Sequence, residues 1–356
     1  MIDLAKLCYD VVAVTPDGEQ LNLTEIVGAL GWSEGEKELA AKITFRLANV
    51  KYKEKFISDV VQPMTPIFIY ADLGEGAKEM IRGTVNKWEL NETNGEVYLN
   101  IEAADEALSL RHNQDDFYFT EGHTSTAILT EVFNKWGVPF KLDIKDVKHT
   151  KKVYRRKYLS DIVTDVLKDI KEKGGGVYFA RAKESVIEII PRGTNDEIYH
   201  FDIEDNLIRT HESFDITSLV TRVKVVAKQK EEGHQKVEAV IDGKTEYGVR
   251  QVIYERGDKT TLEEAEKAAK KILDEKGEAK RKTSLESPDL PFLRKGDKIR
   301  VHSNAGEGYF FIKAIRHNAA SMKMNMELDE SKDDNAAQGV SFDTAHGDES
   351  NSSETP

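Results

Sequence analysis

Along the first hundred residues, apolar side chains recur at every second position. Leu39, Ala41, Ile43, Phe45 and Leu47 alternate with Ala40, Lys42, Thr44, Arg46 and Ala48. That is the period of a strand with one face on a core and the other largely toward water. Pro66-Ile67-Phe68-Ile69-Tyr70 predicts a short apolar strand, Gly74-Glu75-Gly76 a loop, and Met80-Ile81-Arg82-Gly83-Thr84-Val85 a return to the sheet. Trp88-Glu89-Leu90 and Val97-Tyr98-Leu99-Asn100-Ile101 flank Asn94-Gly95, a dipeptide whose tolerance of positive φ suits a hairpin turn. Several short strands separated by turn signals predict a small antiparallel barrel or sandwich ending near Leu110.

The period then lengthens. Thr124 or Ser125 is placed to cap a helix whose apolar positions are Ile128, Leu129, Val132, Phe133 and Trp136, with Gly137 and Pro139 as stops. A second helix carries Leu159, Ile162, Val163, Val166, Leu167 and Ile170 on one stripe and ends at Gly174-Gly175-Gly176. Strands at 177–180 and 186–190 complete an α/β module over 111–205. Strand signals return at 219–227, and Asp242-Gly243 marks a turn. Thr261 and Glu264 have capping-box spacing, ahead of a helix that presents Leu262, Ala265, Ala268, Ala269, Ile272 and Leu273 and closes at Gly277. Strands follow at 298–301, 309–315 and 322–328. The reading is α+β: a first β-barrel over 1–110, an α/β middle domain over 111–205, and a second β-barrel over 206–330 with an inserted helix at about 260–277. From 331 to 356 the composition collapses to Ser, Asp, Asn, Gly, Glu and Thr, with Phe342 the only aromatic. Such a segment buries too little apolar surface to offset chain entropy, which predicts a disordered acidic tail.

The two β-regions share an order of events. A short strand at 67–70 or 298–301 meets a Gly/Glu loop, 74–76 or 304–308. A longer strand follows, then a turn, then an alternating strand. Divergent duplication gives this pattern, and so do two unrelated all-β modules.

Composition narrows the chemistry. The 356 residues include 51 Lys plus Arg and 64 Asp plus Glu, a net charge of −13. Nucleic-acid binding rests on a basic stripe, and the densest basic run, 148–157, is local. It reads as a solvated face or a protein contact. No specific nucleic-acid partner and no membrane partner is expected, and no secretory signal opens the chain. Cys8 is the only cysteine, so neither an intrachain disulfide nor a multi-cysteine zinc site can form; it reads as a small apolar residue. His112 and His123, like His200 and His211, stand eleven apart, without helix spacing and without a cysteine. They read as ordinary surface or core histidines rather than metal ligands. Gly174-Gly175-Gly176 follows a helix and is not a phosphate cradle. Acidic pairs such as Asp115-Asp116 and Glu263-Glu264 are too common here to mark a glycosidase. Met322, Met324 and Met326 have strand spacing and read as core packing. No catalytic residue, cofactor or metal ligand is assigned.

Three stretches in this order carry a resemblance. Ile81-Arg82-Gly83-Thr84-Val85 leads to Leu99-Asn100-Ile101-Glu102-Ala103-Ala104-Asp105. Leu219-Val220-Thr221-Arg222-Val223-Lys224-Val225 opens the second β-region. Leu293-Arg294-Lys295-Gly296-Asp297-Lys298-Ile299-Arg300-Val301 precedes Phe311-Ile312-Lys313-Ala314-Ile315-Arg316-His317 and a closing Met/Leu strand. The sequence resembles the baseplate hub proteins of contractile phage tails and tailocins, including the T4-type and Mu-type hubs, the late control protein D group and, most nearly, the PBSX-type prophage hub, over about 1–330. The resemblance implies a non-enzymatic homotrimer that adapts a six-fold tail tube to a three-fold spike. Its implied partners are further copies of itself, the central spike, the tube or tube initiator, other baseplate proteins and a tape-measure or LysM-type tail protein. Its implied place is the tail baseplate of a particle made in a bacterial cytoplasm. A tail-associated peptidoglycan hydrolase and an unrelated cytosolic α+β binding protein are the rival readings.

Overall fold

The computed structural model of the chain describes residues 4–228, 234–304 and 306–331. Two compact units emerge: residues up to 210 together with those from 284 onward, and residues 211–283.

The larger unit opens with β1 (Cys8–Val14), β2 (Gln20–Asn22), β3 (Val27–Glu34), β4 (Lys42–Ala48), β5 (Lys51–Tyr52), β6 (Lys55–Phe56), the short helix α1 (Ile57–Val60), β7 (Pro66–Asp72), β8 (Lys78–Thr93) and β9 (Glu96–Ala104). Alternation sends Ile43, Phe45, Leu47, Ile67, Ile69, Val85, Leu99 and Ile101 into one core. Asn94 and Gly95 turn β8 into β9 at φ 53° and 81°, the left-handed pair a tight hairpin needs. Leu39 leaves the predicted alternation: it packs with Ala40 on the next core along the chain.

That core belongs to the middle region: α2 (Leu108–His112), β10 (Gln114–Phe119), α3 (Ser125–Lys135), β11 (Phe140–Leu142), β12 (Lys152–Tyr158), α4 (Leu159–Glu172), β13 (Tyr178–Lys183) and β14 (Val186–Pro191). The Thr124 hydroxyl accepts from Ala127 N–H and caps α3. Ile128, Leu129, Val132 and Phe133 meet Leu159, Ile162, Val163, Val166 and Ile170 across the helix pair. The expected single small sheet is two: a β10-β12 ribbon and a β11-β14-β13 sheet. β12 lies in the basic run, where Lys and Arg hid a strand.

The second β-region comprises β15 (Tyr199–Asp202) and β16 (Arg209–Asp215). The chain then forms the smaller unit, with β17 (Arg222–Ala227), β18 (Val237–Asp242), β19 (Gln251–Arg256) and α5 (Leu262–Lys276). It continues through β20 (Lys280–Pro288), β21 (Lys298–Ser303), β22 (Gly306–Asn318) and β23 (Lys323–Glu330). Within the smaller unit, β17 pairs antiparallel with β18 and parallel with β19. Ala265 and Ala269 of α5 seat on Val223 and Val225. Thr261 and Glu264 form the predicted capping box. The methionine series is shorter than expected. Met324 and Met326 are buried, whereas Met322 is exposed at φ 53° in the turn before β23.

The sheet order exposes a repeat. In the first half the strands run β1-β7-β8-β9-β4-β3; in the second, β15-β21-β22-β23-β20-β16. Taken in chain order, each strand of one set occupies the same place in the other. The sets differ in the first strand, which is antiparallel to β7 in one and parallel to β21 in the other, and in the smaller unit, which begins within β16 and ends within β20.

Register carries the match to single residues. Gln62 N–H bonds the Thr65 hydroxyl and Thr65 N–H returns to Gln62 O. Arg294 N–H and the Asp297 carboxylate, with Asp297 N–H and Arg294 O, make the same pair of bonds. Met64 at φ 73° and Gly296 at φ 96° complete the two turns. Val85 N–H then bonds Thr65 O as Ile312 N–H bonds Asp297 O. A bulge follows each, between Val85 and Lys87 and between Ile312 and Ala314.

Neither set closes on itself through hydrogen bonds among the described residues, which corrects the expectation of two separate barrels. Both are open sheets fused into one of 13 strands. β22 has 13 residues and β21 only six. Its last residues therefore outrun β21, and β3 takes up their free edge: Ile315, Arg316, His317 and Asn318 pair with Glu34, Ser33, Trp32 and Gly31. The acidic tail and Phe342 lie outside the described residues. No helix among the described residues is long and apolar enough to cross a membrane.

Candidate functional site

The β3–β22 seam gathers the densest buried polar chemistry in the larger unit. Gly31 is there for space, since a Cβ would stand 2.7 Å from the His317 carbonyl oxygen. Trp32 and the His317 ring stack at 4.6 Å, with Tyr9 edge-on to Trp32 at 5.6 Å. Asp289 ties the three together. Its carboxylate accepts from Tyr9 Oη at 2.6 Å and lies 2.6 Å from His317 Nδ1, while His317 Nε2 meets Leu293 O at 3.0 Å. Burial first, and then the neighbouring Asp289 charge, push the Tyr9 phenol far above its ordinary value, so it serves as a fixed donor.

Beside this stack lies an ion cluster. Glu34, the last residue of β3, accepts from Arg294 Nη2 at 2.5 Å, Arg294 Nε at 3.2 Å and Lys295 N–H at 3.1 Å. Arg294 Nη1 reaches on to Ala182 O at 2.7 Å, and Lys295 Nζ donates to Glu38 O at 2.5 Å and Gly35 O at 3.2 Å. Arg181 approaches Asp297 at 3.3 Å. Asp105 accepts from Ala41 and Ala107 N–H at 2.9 and 3.1 Å. One turn, 294–297, thus binds the first sheet, the middle region and the second sheet. Burial pushes Asp105 up to about 7, against its two backbone donors and the Arg294 charge. Burial likewise raises Asp297 and lowers Lys295. Glu34 goes the other way, because Arg294 and Lys295 outweigh burial and hold it at about 2.

A second arrangement has the form of a hydrolase triad. Ser125 Oγ lies 2.8 Å from His149 Nε2, and His149 Nδ1 lies 2.9 Å from Asp169 Oδ2. A nucleophile needs an open approach and free N–H groups for the oxyanion. Ser125 and His149 are both buried. The surrounding donors are spent: Ser125 N–H on Val147 O, Thr126 N–H on Asp146 and Ala127 N–H on Thr124. Asp169 also takes Lys152 at 2.8 Å; that contact and the one to His149 hold its pKa low against burial. The three residues tie segment 147–149 to α3 and α4.

The residues weighed in the sequence fall elsewhere. Cys8 is exposed at the start of β1. Asp115 pairs with Lys135 and takes the Trp136 indole N–H. Glu263 pairs with Lys267 on the surface of α5. Gly174 and Gly176, at φ 71° and 108°, end α4. In the basic run, Lys152 and Lys157 pair with acids of α4, and Lys151 lies over Tyr118. No group of three metal-ligating side chains occurs among the described residues. His149, His317 and Glu34, which carry the buried networks, give no signal in the sequence, because their partners lie 20 to 261 positions away.

Residues 31–330 match the YQBQ-like family. The chain belongs to that family. No curated protein matches its sequence. Among solved structures, a 43 kDa tail protein of prophage MuSo2 from Shewanella oneidensis superposes with TM-score 0.64 at 12% identity, covering 91% of this chain and 98% of that one. A tail protein from Neisseria meningitidis MC58 gives 0.64, 12%, 91% and 97%. The E. coli c3393 protein, a type VI secretion component described as structurally similar to the T4 tail proteins gp27 and gp5, gives 0.50, 10%, 86% and 74%. At such identities the YQBQ-like chain shares a fold with these proteins.

Proposed function

We propose that this YQBQ-like chain is a structural hub subunit of a contractile tail baseplate in a phage, prophage or tailocin. Three copies form a ring that joins a six-fold tail tube to a three-fold spike. The observation that carries the reading is the repeat: two six-strand sheets with one strand order, one turn and one bulge, already fused side by side. Three such pairs around an axis present six similar units to a six-fold partner and keep three-fold symmetry for the other. The tail proteins that share the fold support the same setting. In this reading 1–110 and 206–330 supply the ring segments, and spike, tube or tube initiator, and neighbouring baseplate proteins are the partners. The work is mechanical and involves no turnover. A hydrolase reading would need the Ser125 hydroxyl to be reachable, and it is enclosed. Sedimentation of the full chain tests the proposal: a species of three copies, seen in projection as a six-lobed ring, is expected. A chain that stays monomeric at every concentration would sink it.

A further inference from the structure

The internal seam shows what the equivalent edge elsewhere lacks. By the matched turn and bulge, Val85 corresponds to Ile312, Lys87 to Ala314, Trp88 to Ile315, Glu89 to Arg316, Leu90 to His317 and Asn91 to Asn318. Ile315 to Asn318 take β3 on the edge that β21 leaves free. The β7–β8 ladder likewise stops at the Pro66–Thr84 pair, and the same edge of β8 from Asn86 to Thr93 has no ladder partner among the described residues. The strand that corresponds to β3 is β16. It pairs with β20 on one side, and its other edge is unpaired among the described residues.

Exposure follows the same contrast. His317 is 1% exposed in the seam, and its counterpart Leu90 is 50% exposed. Gly296 is buried beneath β3, whereas its counterpart Met64 is 78% exposed. Phe214 on β16 is 58% exposed, with one ring contact to Tyr247 at 6.1 Å. An uncovered edge bearing apolar side chains invites pairing with another chain.

The geometry points to a second copy of this chain as the occupant: β8 over 86–93 of one copy pairs with β16 of the next, repeating between copies the join that β22 and β3 make within one. The contact is head-to-tail. It closes into a ring only if the turn per copy is right, and with three copies it gives six joins, three internal and three between chains. This rests on the trimer proposed above and adds which strands meet.

The test uses full-length chain with Cys8→Ser as background. One protein carries Leu90→Cys; partners carry Thr210→Cys, His211→Cys, Glu212→Cys or Ser213→Cys, a scan that allows for register. Each partner is mixed with the Leu90→Cys protein, assembled and oxidised. A covalent dimer is expected in mixtures for one or two adjacent scan positions, at least tenfold above Leu90→Cys mixed with a Lys267→Cys control on α5. Light scattering is read on every sample. A three-copy particle with no cross-link above the control would overturn the strand assignment while leaving the trimer. Absence of any assembly would remove both, and long open polymers in place of a closed particle would overturn ring closure.

Discussion

Replacing Glu34 with Gln tests how the seam is held. Glu34 is buried, and its two oxygens take both arms of the Arg294 guanidinium and the Lys295 N–H. Burial alone would raise its pKa. The two cations instead bring it to about 2 from 4.5, a displacement worth roughly 3 kcal/mol. Removing one partner of a buried pair costs about 3–5 kcal/mol by general experience, so the two routes agree. Gln keeps the shape but leaves the guanidinium with the Ala182 carbonyl and no bonded counter-charge. Urea unfolding followed by fluorescence suits the measurement, since Trp32 stacks on His317 two residues from Glu34.

The expected loss for Glu34→Gln at pH 7 is about 3 kcal/mol. The Glu34→Leu, Arg294→Met pair should recover most of it, because an apolar replacement removes both desolvation penalties. The sign with pH is fixed. A carboxylate with a depressed folded pKa stabilises above its unfolded value of 4.5 and loses that contribution as pH falls toward 2. The gap between wild type and Glu34→Gln should therefore start to narrow below about pH 4.5 and close only as pH approaches about 2. A loss under about 1 kcal/mol at pH 7, or a double variant as weak as the single, would refute the reasoning.

Asp105 works in the opposite direction. Its folded pKa is raised from 3.8 to about 7, so the folded state holds the extra proton and stability falls as pH rises across that window. Asp105→Asn should flatten this slope while lowering stability at pH 5 by about 1–3 kcal/mol, since one of two backbone donors loses its acceptor; urea midpoints at four pH values decide it. Gly83→Ala places a Cβ 2.7 Å from Ala104 O and 2.8 Å from its carbonyl carbon, and a loss of about 1–3 kcal/mol is expected in the same assay. Thr261→Ala removes the α5 capping box and should cost about 1 kcal/mol, read by hydrogen exchange over 262–276.

Local signals survived into the structure where the deciding contacts are local. The caps at Thr124 and Thr261, the Asn94-Gly95 turn and the buried stripes of α3 and α4 each depend on residues within a few positions. The order of events in the two β-regions was also legible, because strand lengths and turn residues are written along the chain. Closure was not. Whether β22 curls back on its own sheet or pairs with β3 is settled by residues 281 to 287 positions apart, and Glu34 is one acid among 64. β12 was hidden because Val153 and the run Arg155-Arg156-Lys157 are exposed, a bulge interrupts its alternation, and its ladder lies in a two-strand ribbon. Such a ribbon needs no continuous apolar run.

The two copies of the turn differ in chemistry for a reason that the fold supplies. Gln62 to Thr65 and Arg294 to Asp297 make the same backbone bonds, so the bonds do not require charge. Charge appears only where the turn is buried against β3. There a Glu–Arg pair costs more to desolvate than an apolar contact and adds little net stability. What it supplies is a choice. The free edge of β22 could accept either β3 or the corresponding strand β16, and a one-residue slip in either would reverse every side chain. Glu34 at the end of β3 meets Arg294 and Lys295 in one register only, so an uncharged edge docking there would leave two buried cations without their bonded counter-charge. On this reasoning the internal join is made specific at the cost of strength. The corresponding edge of β8, with Trp88 and Leu90 in place of Ile315 and His317, carries the exposed Lys87–Glu89 pair instead of a buried one, so the proposed join between copies lacks the ion pair that selects β3 within one.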